Sequence, residues 1–163
     1  FGSTGGEGRF LREPALAPGL ISGLAPGFQP RKKGGPMSTI YGFSGLLGRI
    51  LISFMFLQSG INKIGGYRAT AAYMESKGVS GMLLPPVIIL EIVGAIAVIV
   101  GWQARLFAFL LAGFCVLAAL LFHLDFSNQV QTIMFMKNLA IAGGFLMIFA
   151  HGAGNFSLGR KGK

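Results

Sequence analysis

Acidic side chains are scarce in this sequence: five Asp and Glu stand against fourteen Lys and Arg, a formal charge of +9 over 163 residues. Charge of either sign is thin as well, at 12% of residues, where a soluble domain carries about 25%. The basic excess invites a nucleic-acid reading, but the aromatic side chains lie inside apolar blocks and not among the basic residues, so no nucleic-acid partner is expected. Cysteine occurs once, as Cys115 in the middle of an apolar run. That rules out an internal disulfide, leaves no redox compartment to infer, and makes Cys115 a packing residue. Metal-ligand spacing, a phosphate-cradling glycine loop and a nucleophile–base arrangement are missing too, so no metal and no autonomous catalysis are expected.

What is present is hydrocarbon, with 53% of residues hydrophobic. The run LFAFLLAGFCVLAALLFHL, residues 106–124, carries no charge and has no polar face. At about 1.5 Å per residue it is long enough to cross roughly 30 Å of bilayer core. A soluble helix of that length shows a polar stripe; this one reads as a membrane span. Three further blocks have similar length and composition. The expected fold is all-α, a four-transmembrane-helix bundle with an extended N-terminal arm, its helices at about 43–65, 83–102, 104–124 and 132–151. Gly65 and Gly66 end the first, and Pro85 and Pro86 open the second. Gly42, Gly45 and Gly48 recur every three residues and offer a close neighbour room. Residues 67–82 are too short and polar to span; if helical, they place Tyr67, Ala71 and Met74 on one side, as an interfacial helix would, and a solvated loop is the alternative.

Residues 1–36 differ in kind. They hold five of the seven prolines (Pro14, Pro18, Pro26, Pro30 and Pro36) and many glycines, with no helical or strand period. Such a segment cannot bury enough surface alone to offset its ordering entropy. It is expected to be an arm held by other subunits. The domain division is thus 1–36 for the arm, 37–152 for the membrane domain and 153–163 for a basic tail. The opening at Phe1, with no Met, reads as loss of a preceding segment; a native start at Met37 is the alternative. With four crossings, Arg9, Arg12, Arg31, Lys32, Lys33, Arg49, Arg105, Arg160, Lys161 and Lys163 share the side of the termini, against Lys63, Arg68, Lys77 and Lys137 opposite. The excess places both termini on the cytoplasmic, matrix or stromal side.

Inside the spans, Glu91 stands out, because an ion at the centre of a membrane helix costs about 2.5–3.5 kcal/mol. It needs a partner. Lys63 and Lys137 fall at similar depth in the same leaflet, and the sequence leaves open which of them holds it. Gln58, Asn62, His123, Asp125 and Asn138 complete an expected polar cluster at that level. One reading is an ion pair that locks helix register; the other is a pocket for a quinone headgroup, a small anion or a proton path. His123 and His151 fall at opposite helix ends and cannot share a haem. Arg49 and Arg105 lie near the other face, where they are expected to reach headgroups.

A series of short motifs resembles the DoxX family of small four-helix membrane proteins. It comprises Gly48-Arg49, then Gly60-Ile61-Asn62-Lys63, the Ala71-Ala72-Tyr73-Met74 stretch before Lys77-Gly78, Leu90-Glu91 with Gly94, Gly101 with Arg105, Phe122-His123, and the run FMKNLAIAGG at 135–144. Together these span about 43–150, leaving 1–36 unlike the family core. The family takes its name from a subunit of an archaeal thiosulfate–quinone oxidoreductase, so the resemblance implies a fold and a link to membrane electron transfer, without a substrate. Two functions are weighed. The first is a non-catalytic accessory subunit of an energy-converting complex, placed by preference in the mitochondrial inner membrane, with a thylakoid or bacterial inner membrane as alternatives. The second is a DoxX-type component of a quinone-linked oxidoreductase, or a small-molecule carrier, using the polar cluster. The first expects no cofactor beyond bound lipid and has neighbouring subunits and lipids as partners; the second adds quinone.

Overall fold

The computed structural model describes residues 36–154 and 156–159, with side chains from Thr39 onward. In order come α1 (Pro36–Gly65), α2 (Tyr67–Ser76), a 3-10 turn (Gly81–Leu83), α3 (Leu84–Val100), α4 (Ala104–Phe122) and α5 (Gln129–His151). Four segments are long and apolar enough to cross a membrane: Thr39–Gly65, Gly81–Val100, Ala104–Phe122 and Gln129–His151. The expectations about the arm, and about Arg160, Lys161 and Lys163, fall outside the described residues.

Helix ends follow local chemistry. Pro85 and Pro86 follow Leu84 in the first turn of α3, where a missing N–H costs nothing. Gly101 ends α3 with φ +78°, a left-handed conformation that suits glycine. The Asn128 side chain caps α5 by accepting from Val130 N at 2.9 Å. One boundary lies well off expectation. The first helix begins at Pro36 instead of about residue 43, because Pro fits a first turn and nothing in 37–42 stops the helix. Residues 67–76 are helical, and their buried Met74 packs with Leu84 and Ile88 while Ala71 lies against the same cluster.

Among the four spans α1 packs on α3, α3 on α4 and α4 on α5, and a lighter contact between α1 and α5 closes the bundle. Since lipid is as apolar as leucine, close backbone approach holds such helices together. The core is accordingly rich in small residues, with Ala95, Ala108, Ala112, Ala142 and Cys115 buried around Phe56, Leu111 and Phe145. Glycines serve this at particular crossings. A Cβ at Gly60 would lie 2.6 Å from Ile92 on α3, and one at Gly144 would lie 2.7 Å from Ile52 on α1. Gly45 and Gly48, expected to admit a neighbour, face open space instead. Leu51, Phe54, Ile89, Phe109, Leu117 and Met147 point outward, as a lipid-facing surface requires.

Candidate functional site

The approach of α1 to α3 at Gly60 sets Ser59 and Lys63, one turn apart on α1, against Glu91 on α3. Lys63 Nζ donates to both carboxylate oxygens of Glu91, at 2.8 and 2.9 Å. It also donates to Ser59 Oγ at 2.6 Å, and that hydroxyl in turn donates to Glu91 Oε1 at 3.2 Å. Glu91 is 2% exposed and Lys63 keeps 23%. A carboxylate with three such contacts is neutralised and hydrogen-bonded, the condition for holding an ion inside hydrocarbon.

Beside this pair lies a cavity of about 320 Å³. Phe56 stacks edge-on against Phe145 at 5.3 Å, and this contact with Ile52–Gly144 is where α1 meets α5. Beyond it the cavity occupies the space between them, with Met55 and Phe56 from α1, Phe114 and Ala118 from α4, and Met134 from α5 as apolar walls. Thr70 and Tyr73 of α2 close one end, where Tyr73 stacks on Phe122 at 5.7 Å.

Of the residues expected in a polar cluster, Lys63, Glu91, His123, Lys137 and Asn138 all line this cavity. Gln58, Asn62 and Asp125 do not. Gln58 donates to Asn62 at 3.0 Å on the exposed side of α1. Asp125 sits in the exposed turn after α4 and accepts from the Ser127 hydroxyl, which with the Ser127 N–H holds its carboxyl below the usual range. His123 Nδ1 bonds Gln131 Oε1 at 2.6 Å, and Asn138 donates to Met134 O at 2.9 Å. Among the described residues Lys137 hydrogen-bonds only the Met134 sulfur, at 3.1 Å, so Lys63 is the base that holds Glu91. Ser59, Thr70 and Tyr73 lie outside the expected polar cluster, Tyr73 having figured only in the Ala71-Ala72-Tyr73-Met74 motif. Of these only Ser59 carried a signal, its i, i+4 spacing from Lys63.

The opposite end corrects another expectation. Arg105 is exposed, but Arg49 does not extend to headgroups: it is 2% exposed and turned into the bundle. Its guanidinium donates to Val98 O at 3.2 Å and Ile99 O at 3.3 Å, and to the carbonyl of Phe156. The reason lies in α3, whose last turn leaves carbonyls without helical partners at the level of Arg49. Leu158 N donates to Val100 O at 2.9 Å, so the segment after α5 is clasped to the same helix end.

Comparison with known proteins agrees with this architecture. The DoxX family model matches residues 44–124. The chain is 46% identical over 115 residues to Inner membrane protein YqjF of Escherichia coli (strain K12), covering 71% of this chain and 88% of that protein. This chain belongs to the DoxX family. A second match, Inner membrane protein YphA of the same organism, is 31% identical over 123 residues, again with 71% and 88% covered. No solved structure matches the chain. This DoxX protein is therefore an integral membrane protein built as a four-span bundle.

Proposed function

We propose that this DoxX protein is an inner-membrane component of bacterial type that binds a small amphiphile in the cavity beside Lys63 and Glu91. The observation that carries the reading is the cavity itself: apolar side chains such as Phe114, Ala118 and Met134 share its lining with the polar Lys63, Glu91, His123 and Lys137. Its volume of about 320 Å³ lies at the lower end of ligand sites, which run from about 300 to 1,000 Å³. The two relatives are named as inner membrane proteins of a bacterium, which supports that membrane as the location and lends nothing to a mitochondrial respiratory complex. The accessory-subunit reading rests on the arm of residues 1–36, the opening at Phe1, the basic ends and the small size, and the arm falls outside the described residues.

A quinone headgroup fits the donor set in kind. Lys137 can donate to a quinone carbonyl, and His123, with Nδ1 held by Gln131, keeps Nε2 for a quinol hydroxyl. Bound there, a quinone would supply two-electron carriage. The chain's own part would be to orient the head and exclude water.

Photolabelling tests the cavity. The protein is reconstituted in phosphatidylcholine nanodiscs and exposed to a neutral diazirine-bearing dodecanol. Labelling should concentrate on Phe114, Ala118 and Met134, and should vanish in Ala118→Trp, which fills the space. Labelling spread evenly over the outward residues Leu117 and Leu121, with no enrichment in the cavity, would overturn the reading. Protection of buried Cys115 from a maleimide reports that each variant is folded.

A further inference from the structure

We propose that the ligand is a single-chain amphiphile with an anionic headgroup, and that Lys137 is its counter-ion; this rests on the cavity reading above. The argument starts from the charges that line the cavity. Glu91 is its only carboxylate among the described residues, and both oxygens are already taken by Lys63, one of them also by Ser59. That pair is neutral as a unit. Lys137 then stands as a surplus positive charge on the same lining, and the only ion pair among the described residues is Lys63–Glu91.

Lys137 is exposed, and among the described residues its ammonium has one hydrogen-bond partner, the thioether of Met134 at 3.1 Å, which is a weak acceptor. Lys137 lies eight residues past the start of α5 at Gln129, about 12 Å along the helix axis. A cation at that position is better placed with an anion beside it than with sulfur alone. Size limits the rest of the ligand. A cavity of about 320 Å³, at the lower end of ligand sites, suits one chain with its head better than two acyl chains. The walls at Phe114 and Met134 would take the chain, and Lys137 at the rim would take the head.

Competition against the neutral diazirine probe, in the same nanodiscs, separates the charge from the cavity. Dodecanoate or dodecyl phosphate should displace the probe at about one-tenth the concentration that dodecanol or decylubiquinone needs, the size of one charge-assisted hydrogen bond. Which of the two anions is stronger distinguishes a carboxylate from a phosphate head. The preference should fall to about unity in Lys137→Gln and return in Lys137→Arg. If dodecanol or decylubiquinone competes as well as either anion, or if the preference survives in Lys137→Gln, the proposal fails while the cavity reading stands. If the probe never enters the cavity, the cavity reading itself is lost, and this inference with it.

Discussion

Arg49 on α1 and Glu91 on α3 are equally buried, each 2% exposed, and their partners are chemically opposite. Glu91 is matched by a full charge, the Lys63 ammonium. Arg49 has no carboxylate in reach among the described residues and is matched by three backbone carbonyls at the end of α3 and after α5. The first arrangement is a pair whose two halves can be removed together. The second is a cap: the carbonyls it satisfies belong to the backbone and cannot be mutated away. A buried ion in a membrane protein therefore has two routes to compensation, and they respond differently to substitution.

That difference is best broken first at the pair. Lys63→Met leaves Glu91 buried without a counter-charge and should cost about 3 kcal/mol. The double variant Lys63→Met/Glu91→Met should return to within about 1 kcal/mol of wild type. The check is thermal unfolding in detergent, followed by exposure of Cys115. A double variant as unstable as the single one would show that the pair is not acting as a neutral unit.

The cap should yield next. Arg49→Met strands the carbonyls of Val98 and Ile99 and should cost about 2 kcal/mol. No second substitution on α3 should repair it, and amide exchange at Leu158 should quicken as the segment after α5 is released. Gly101→Ala sharpens the same point. It forces φ +78° on a residue with a Cβ and crowds Ser157 and Arg49, so a loss of about 1 kcal/mol is expected from the backbone alone. The calorimetric or thiol-exposure midpoint should fall, with the Lys63–Glu91 end unaffected.

The smallest effect belongs to an exposed charge, Asp125, which contrasts with both buried ones. Its carboxyl is held below the ordinary range by Ser127. A depressed carboxyl contributes stability that is present above its unfolded-state value and is lost as pH falls through the folded one. Asp125→Asn should therefore lose slightly less of its melting midpoint between pH 7 and acid than wild type does. An Asn variant with the full wild-type acid dependence would remove Asp125 from the account.

The membrane spans were legible in the sequence because hydropathy is a local property: each of the four blocks declares itself within twenty residues. So was the need to shelter Glu91, because the cost of an ion in hydrocarbon does not depend on the fold around it. The expected cluster was drawn by depth along the helices, and depth says nothing about rotation. Gln58 and Asn62 have the right level and the wrong face, while Ser59, between them in sequence, faces inward. Lys63 and Lys137 were equivalent on the same measure.

Packing decided those matters. The contact at Gly60 rotates α1 so that Lys63 meets Glu91, and the crossing of α1 and α5 at Ile52 and Gly144 leaves Lys137 on the far wall of a cavity instead of against the carboxylate. Arg49 shows the same division. Its place near one end of a span is written in the chain, but its inward turn depends on where α3 stops, at Gly101, and on carbonyls supplied from about fifty and about a hundred residues away. Burial and depth follow from the order of residues; facing and partnership arise only when helices distant in sequence lie side by side.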